Sequence, residues 1–463
     1  MTSEAATSGP VTGPESTTRY QRPWYWYDWA NSAFVTTTAT VLFGPYLTAV
    51  ATEAACPGLP DGSTCTATLD VLGVPVDPGS LHPYTVALST VLGAVLLLFV
   101  GAVADRSPRP ARLLALFAGV GAAAGTAMAW VQGTAWALGA VLLVVASIAL
   151  GASLVVYDAI LCRIATPDDR DRVSSRGWAL GYLGGGLLLA VNFLLLSTSS
   201  SWGWSTGETV RFSMLMAGLW WGLFTVIPVV GLWSLRGVER PAVAGEAGAV
   251  GGSLRQLADT FARLLTLRQT LLFLLAYMFY NDGIQTVIGQ SSLYGTAELG
   301  FPEQTMLGLF LMVQFVAFGG ALLFGAVAAR VGAKRTVLAG VWTWTAVVVA
   351  AYFVPERATG ALFALGVGIG LVMGGTQALS RSLYTQLVPR DREAEFFSLY
   401  QALERGTSWF GALIFGLVRQ LTGSYRPAIV ALALFFVLGG LLLARVDVRR
   451  GVLEAGNELP RVL

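Results

Sequence analysis

Apolar residues along this chain come in long continuous stretches that short polar segments separate. A helix needs about 20 apolar residues to cross a bilayer, because the hydrocarbon core is about 30 Å thick. The pattern therefore predicts an all-α membrane protein with twelve transmembrane helices. We place them near residues 24–50, 83–104, 112–131, 135–161, 177–197, 211–234, 269–292, 304–328, 335–354, 359–380, 396–418 and 427–444.

Composition and charge placement agree with that prediction. Hydrophobic residues make up 55% of the 463 positions and charged residues only 12%, whereas soluble domains carry about a quarter charged residues. Membrane proteins concentrate Lys and Arg on the cytoplasmic side. With the predicted spans, 24 of the 29 basic residues fall in the tails and the even-numbered loops, where we also place Arg381. We therefore expect both termini in the cytoplasm.

Two pairs of loops repeat between the halves of the chain. GAVADRSPR at 101–109 is similar to GAVAARVGAKR at 325–335, and PDDRD at 167–171 is similar to PRDRE at 389–393. This similarity predicts a six-plus-six duplication with the two halves in parallel orientation. We expect a disordered cytoplasmic tail at 1–18, six-helix bundles at 19–235 and 269–450, a linker with an amphipathic helix at 236–268, and a cytoplasmic tail at 451–463.

Cysteine and histidine are too sparse for a catalytic or metal site. Cys56 and Cys65 fall in the long first external loop, where an oxidising exterior permits a disulfide, but two free thiols remain equally open. His82 is the only histidine, which leaves no material for a His-based metal site or catalytic triad. Because no nucleotide-binding loop is present either, we expect a protein that is not an enzyme, with no cofactor and no metal.

The loop after the second predicted span resembles a motif of the major facilitator superfamily. The glycine at 101 is followed by Asp105 and Arg106 at the family's spacing, although Pro108 stands where the motif has glycine. The resemblance implies the family's fold and a gating role for Asp105 and Arg106, which would clasp neighbouring helix ends in the outward-open state. Arg109, and Arg330 in the repeat, are further gating candidates; simple helix capping and inside-positive anchoring are the alternative.

Three further segments narrow the resemblance to one branch of that superfamily. They are YDWANSAF at 27–34, YNDGIQT at 280–286 and GGTQALSR at 374–381. Together they look like the branch that contains the fungal vacuolar amino-acid effluxers linked to autophagy, and their bacterial relatives. The resemblance implies export of a small solute such as an amino acid or a related metabolite.

Asp282 is the first candidate for binding solute or protons. Charged side chains deep in a span usually face a cavity or a partner, because exposure to hydrocarbon is costly. The seventh predicted span places this carboxylate near its middle, with Gln285 on the same side and Tyr280 and Asn281 just before it. A buried structural hydrogen-bond node is the alternative.

Polar residues in other spans complete the set of candidates. In facilitator-type folds the first, fourth, seventh and tenth spans line a central cavity, which selects Asn31, Ser32, Tyr157, Asp158 and Gln377 by analogy.

Two further sites carry charge. Asp28 lies in the first turn of the first predicted span, where a carboxylate caps a helix or gates the cavity. Glu404 and Arg405 are adjacent near the middle of the eleventh span, and we expect Arg405 to pair with Asp282 or Asp158.

These observations predict a secondary transporter that exports a small polar solute by alternating access and uses the proton gradient. A proton-coupled uptake symporter and a non-transporting membrane sensor are the alternatives. We expect a monomer in contact with lipid, the solute and protons, and no nucleic acid. The excess of Arg over Lys and the Ala/Gly-rich composition suggest a GC-rich bacterial genome, and therefore a plasma-membrane location.

Overall fold

The computed structural model describes residues 14–58, 65–235, 249–390, 392–406 and 408–463. Within these ranges the chain forms seventeen α-helices and one short hairpin. The helices are Pro14–Phe34 (α1), Phe43–Ala55 (α2), Pro78–Arg106 (α3), Pro110–Ala127 (α4), Trp136–Ile164 (α5), Arg170–Thr198 (α6), Thr206–Gly231 (α7), Ala249–Thr266 (α8), Arg268–Leu293 (α9), Glu303–Val331 (α10), Ala333–Tyr352 (α11), Thr359–Leu387 (α12), Glu393–Gly406 (α13), Ser408–Thr422 (α14), Tyr425–Ala431 (α15), Ala433–Arg445 (α16) and Val448–Glu454 (α17).

Eleven helical segments within the described ranges are long and apolar enough to cross a membrane. They cover every predicted span except the eleventh. The predicted span 396–418 corresponds to α13 and α14 together, and residue 407 between them lies outside the described chain. The all-α membrane fold is therefore confirmed, and the twelve predicted spans in two six-helix halves fit it.

The helices bury small and polar residues against one another and present large apolar side chains outward. On α3, Val91, Val95 and Leu96 are exposed, whereas Gly101 packs so closely on α13 that an added methyl group would collide with Ser398 Oγ and Ala394 O. Hydrocarbon solvates apolar side chains, so helices in a membrane associate through small residues that allow close approach. This distribution explains how the halves pack through α3 against α13 and α6 against α10.

The first predicted span is one long helical segment that changes from α-helix to π-helix in its middle. Residues Val35–Leu42 form a π-helix between α1 and α2. The sequence there contains three consecutive threonines, Thr36, Thr37 and Thr38, and their side chains are buried. Single-turn π-segments often occur at functional sites because they redirect side chains. Here the segment faces the space between the halves, since Thr36 accepts a hydrogen bond from Gln314 Nε2 of α10 at 3.1 Å.

The loop between α2 and α3, predicted to be external, contains a disulfide and the hairpin. Cys56 and Cys65 are bonded, with their Cα atoms 5.9 Å apart, which decides between the two possibilities that the sequence left open. The antiparallel strands Leu69–Val71 (β1) and Val74–Val76 (β2) follow, with Leu69 paired to Val76.

Both ends of the chain differ from simple tails. Helix α1 begins at Pro14, inside the segment predicted to be disordered, while residues 1–13 lie outside the described chain. Further along this helix, Gln21 is buried and its Nε2 donates to Ile164 O at 2.9 Å. At the other end, Asn457 is buried and its Nδ2 donates to Gln386 O and Val388 O at 2.9 and 2.7 Å.

The predicted linker is described only in part. Its first residues, 236–248, lie outside the described chain. The amphipathic helix falls within α8.

Candidate functional site

A cavity of about 450 Å³ lies between the two halves. Its wall is formed by the first helical segment and by α3, α5, α6, α9, α10, α12 and α13. It extends from Asp158 and Arg381, near the ends of α5 and α12 on the side of the termini, toward the opposite side, at Thr40, Ser291 and Leu309. The charged side chains in its wall are Asp28, Asp158, Arg381, Glu404 and Arg405.

Arg381 joins the two halves at the inner end of this cavity. Its Nη2 lies 3.1 Å from Asp28 Oδ2 of α1, and its Nη1 lies 3.2 Å from Asp158 Oδ1 of α5. All three side chains are almost completely buried. Low surrounding polarity strengthens the Coulomb attraction among these groups. Removing one of them would leave a buried charge uncompensated, so such a cluster tolerates the loss of a single member poorly. We call Asp28, Asp158 and Arg381 the central ion triad.

Further polar groups hold the central ion triad in place. Arg381 Nε donates to Ser174 Oγ at 2.9 Å, so α6 also contributes. Tyr157 Oη donates to Asp28 Oδ2 at 2.8 Å, and Gln401 Nε2 donates to Asp158 Oδ2 at 3.1 Å. Each carboxylate therefore accepts one hydrogen bond in addition to its ion pair.

Aromatic rings surround the guanidinium. Arg381 Cζ lies 5.0, 5.4 and 5.5 Å from the ring centroids of Trp24, Tyr157 and Trp178. Trp24 stacks on Tyr157 with centroids 4.2 Å apart. Cation–π attraction is stronger where water is excluded, so these rings favour the charged guanidinium in a site that is otherwise costly for it.

Many predicted candidates meet at this cavity. Asn31, Ser32, Asp158, Gln285, Gln377, Glu404 and Arg405 line it, and so does Asp28. Tyr157 is fully buried behind the wall and reaches the site through its bond to Asp28.

Asp282 does not lie among the residues that line the cavity. It is buried, 2% exposed, and its Oδ2 accepts a hydrogen bond from Gly411 N of α14 at 2.9 Å. Asn281 is also buried outside the lining, and Tyr280 Oη lies 2.7 Å from Ser380 Oγ. The structure therefore separates these three residues from the cavity, and their predicted role in binding solute stays a prediction.

Two predictions about the central ion triad are wrong because helices extend beyond the predicted spans. Asp28 is not in a first turn, since α1 begins at Pro14 and the carboxylate lies well inside the helix. Arg381 is not in a loop, since α12 continues to Leu387 and buries it to 3% exposure. Hydropathy places the ends of a span only approximately, because a helix can continue through polar and charged residues when other helices bury them.

The expected pairing of Arg405 with Asp158 is also wrong, because Arg381 is the cation bound to Asp158. No contact in the described part of the chain joins Arg405 to Asp282 either. Glu404 accepts a hydrogen bond from Tyr277 Oη at 2.9 Å. The adjacent charges Glu404 and Arg405 therefore form a second charged part of the cavity wall.

The space between the halves is closed on the side of the termini. Asp105 Oδ1 and Oδ2 accept hydrogen bonds from the backbone N–H groups of Ala394 and Glu395 at 3.0 and 2.9 Å, so α3 holds the first turn of α13. Arg170 Nη1 donates to Thr385 O at 2.8 Å. Asp105 thus clasps a neighbouring helix end as the resemblance implied. Its gating role, and those of the exposed Arg106, Arg109 and Arg330, stay predictions.

A family model described as "Vacuole effluxer Atg22 like" matches residues 16–456. The chain belongs to the Atg22-like family. This family lies within the major facilitator superfamily, as the closely related proteins and the shared fold agree.

Two relatives show how far the similarity to Atg22-like proteins extends. An uncharacterized MFS-type transporter YxiO of Bacillus subtilis (strain 168) is 30% identical over 96% of this chain and 99% of its own. Autophagy-related protein 22-1 of Neosartorya fischeri is 26% identical over 83% of this chain and 77% of its own. The match to YxiO spans nearly the whole of both proteins, so the shared family covers both six-helix halves.

Solved structures agree with the fold of this Atg22-like protein. The major facilitator superfamily proton:xylose symporter XylE superposes with a TM-score of 0.69 at 14% sequence identity, over 94% of this chain and 96% of that one. At this identity the likeness shows the fold alone. The protein is a multi-pass membrane transporter of the major facilitator class.

Sequence reasoning missed several residues of the site. Trp178 and Gln401 carry no charge and read as ordinary span residues, yet the fold places them beside Arg381 and Asp158. Tyr182, whose Oη donates to Gln377 Oε1 at 2.7 Å, was missed for the same reason. Arg381 did leave a signal, since it ends the segment GGTQALSR, but its burial depends on residues in the other half.

Proposed function

We propose that this protein is a secondary active transporter that exports a small polar solute, such as an amino acid or a related metabolite, in exchange for protons. The observation that carries the proposal is the central ion triad, which connects the two halves at the inner end of the cavity. Its acids lie on α1 and α5 and its base lies on α12. A charge change there would alter the attraction between the parts that alternating access must separate.

Protons would act through the two acids of the central ion triad. With both carboxylates ionised, Arg381 is attracted from two helices of the other half at 3.1 and 3.2 Å. Adding a proton to either acid removes the attraction between that acid and Arg381. The buried guanidinium is then less well compensated, which makes the arrangement with the halves in contact less stable. Protonation would therefore make separation of the halves at this level easier.

The cavity also supports recognition of a small dipolar molecule. Its wall carries acids at Asp158 and Glu404, a base at Arg405, and uncharged hydrogen-bonding groups at Asn31 and Gln377. A solute with one cationic and one anionic group would find a partner for each. A cavity of about 450 Å³ is within the size range of small-molecule sites.

The orientation of the protein decides which compartment the cavity faces in this state. Arg and Lys residues cluster on the side of the termini, and this charge asymmetry supports a cytoplasmic location for that side. The cavity would then face outward, with Asp105 and Arg170 on the closed cytoplasmic side. An exporter in this state has released its solute and awaits protons from outside.

Reconstituted protein provides the test. Proteoliposomes are loaded with a metabolite mixture, a pH gradient is imposed, and mass spectrometry identifies what leaves. We expect gradient-dependent export by the wild type and at least a tenfold loss with Asp158→Asn, because the acid that pairs with Arg381 can no longer exchange a proton. Asp259→Asn, on the exposed surface of α8, is the matched control and should export normally.

Two outcomes would contradict parts of the proposal. Equal proton dependence in the wild type and Asp158→Asn would remove Asp158 from the coupling mechanism. An absence of export and of counterflow for every solute, despite measurable ligand binding, would favour a sensor and reject transport.

A further inference from the structure

The residues that follow α17 cross from one half of the protein to the other. Helix α17 ends at Glu454, and Gly456 turns the chain in the left-handed conformation, at φ +74°, which glycine adopts readily. The next segment, residues 457–463, contacts α12 of the second half and the loop between α5 and α6 of the first half. We call residues 457–463 the strap.

The strap is anchored to the second half near both of its ends. Asn457 is buried, and its Nδ2 donates to Gln386 O and Val388 O at 2.9 and 2.7 Å. A helix leaves its last carbonyl groups without backbone partners, so this amide completes the end of α12. At the other end of the strap, Leu463 O lies against Gly332, between α10 and α11, where an added methyl group would collide with it.

Arg461 connects the strap to the first half. Its backbone N–H donates to Asp168 Oδ1 at 2.6 Å, and its Nε lies 3.4 Å from Asp168 Oδ2. Asp168 lies in the loop between α5 and α6. The strap therefore starts on one half and holds a carboxylate of the other through both oxygens.

The same loop is also bound directly to α12. Gln386 Nε2 donates to Pro167 O at 2.8 Å, and Gln386 Oε1 accepts a hydrogen bond from Arg170 Nη1 at 3.2 Å. The strap holds both partners of this bridge, since Asn457 binds the carbonyl of Gln386 and Arg461 binds the residue after Pro167. These contacts form a closed ring that includes both halves. Separating the halves on this side has to open the ring.

The charges of the strap match those of the two repeated loops, PDDRD and PRDRE. Arg461 pairs with Asp168 of the first loop, and Glu458 Oε1 lies 3.1 Å from Arg390 Nη2 of the second. Each charged residue of the strap thus meets the opposite charge in one copy of the repeat. The central cavity gives these loops no role, whereas the strap uses both as contact points.

We propose that the strap fastens the two halves together on the side of the termini and favours the state in which this side is closed. The inference rests on the alternating access of the proposed function, but not on the solute or the coupling ion. Both ion pairs of the strap are exposed, with Arg461 at 91%, and exposed pairs contribute little to stability. The strap therefore shifts the balance between the two states without locking either.

Two cysteine reporters on the closed side test the strap. Ser382 is buried where its hydroxyl bonds Asp171 across the halves. Ser398 is buried at the separate contact of α13 with Gly101 of α3. Each is changed to cysteine in a Cys162→Ser background, and the purified full-length protein is labelled with a thiol reagent in detergent at low ionic strength, without solute or gradient.

Removing the charge of Arg461 should open this side more often. We expect Arg461→Gln to accelerate the labelling of both reporters by about two- to fivefold, which corresponds to the loss of an exposed ion pair. Arg461→Asp should accelerate labelling further, because it places a second acid beside Asp168. Combining Arg461→Asp with Asp168→Arg should restore a rate near that of the wild type. Higher salt should narrow the difference between Arg461→Gln and the wild type, since exposed charges are screened.

A matched control lies on the preceding helix. Arg450 Nε pairs with Glu454 Oε1 at 2.7 Å within α17, and this exposed pair belongs wholly to the second half. Arg450→Gln should therefore leave both labelling rates unchanged.

Three results would overturn the strap. They are equal labelling of the wild type and Arg461→Gln, faster labelling at Ser382→Cys alone, which would mean that the strap only covers that residue, and a charge exchange that does not restore the rate. A failure of export is distinguishable from these results, because labelling needs neither solute nor gradient. Asp105→Asn, which weakens the contact of α3 with α13, shows independently whether this side opens.

Discussion

At the scale of single residues, Arg381 is the side chain on which most of the site depends. It pairs with Asp28 and Asp158, donates to Ser174, and lies among three aromatic rings. Replacing a whole buried ion cluster by neutral groups is often tolerated, whereas removing one member leaves an uncompensated charge. The number of charges that remain unpaired should therefore determine stability more than the number of contacts.

This principle gives a stability prediction for Arg381. Arg381→Gln leaves Asp28 and Asp158 buried without their cation, and we expect it to lower the free energy of unfolding by about 3–5 kcal/mol. The triple variant Asp28→Asn, Asp158→Asn, Arg381→Gln should recover part of that loss, because no charge remains. Thermal unfolding in detergent measures both. A triple variant that is less stable than Arg381→Gln would show that hydrogen bonds and packing, and not unpaired charge, dominate.

At the scale of elements, the clasp between α3 and α13 closes the side of the termini. Asp105 accepts both backbone N–H groups at the start of α13, and the favourable interaction of a carboxylate with a helix N-terminus adds to these bonds. Gly101, one turn earlier on α3, allows the close approach that this geometry needs. The clasp contributes only while this side is closed, so it sets the balance between the two access states.

Weakening the clasp should shift that balance. In Asp105→Asn the amide offers one acceptor oxygen where the carboxylate offered two, and hydrogen bonds to a charged group are worth about 1.5–3 kcal/mol. We expect a shift of roughly tenfold or more toward the inward-open state. A cysteine at Ser382, whose hydroxyl bonds Asp171 across the closed interface, should then react faster with thiol reagents.

The control for this measurement is the same Ser382→Cys change in a protein that keeps Asp105. Cys162 is the one unpaired cysteine and is replaced by serine in both proteins. Unchanged labelling after Asp105→Asn would mean that other contacts, such as Arg170 with Thr385, suffice to keep the side closed.

At the scale of the whole molecule, the cavity opens away from the termini, and the orientation of the protein decides which compartment it faces. The internal duplication places both halves in the same sense, so the charge asymmetry acts on all twelve predicted spans together. Orientation is thus a property of the entire chain. No single helix reveals it.

Site-directed labelling in intact cells tests orientation and access together. Thr40→Cys, in the cavity wall on the side away from the termini, should react with a membrane-impermeant thiol reagent added outside, and Ser382→Cys should not. Both are made in a Cys162→Ser background. The opposite labelling pattern would reverse the proposed orientation.

The sequence by itself determined the class and the approximate positions of eleven spans, because hydrophobic length is a local property that each segment shows on its own. Short motifs indicated the family. The repeated loops indicated two related halves, and the clustered arginines indicated that both halves have the same orientation; these signals are also local. Only the tertiary structure decided that Arg381 is a buried partner of Asp28, which lies 353 positions away, and that Asp282 lies beside Gly411 and outside the cavity. Whether a buried charge is paired depends on what another helix brings to it, and no local pattern contains that information.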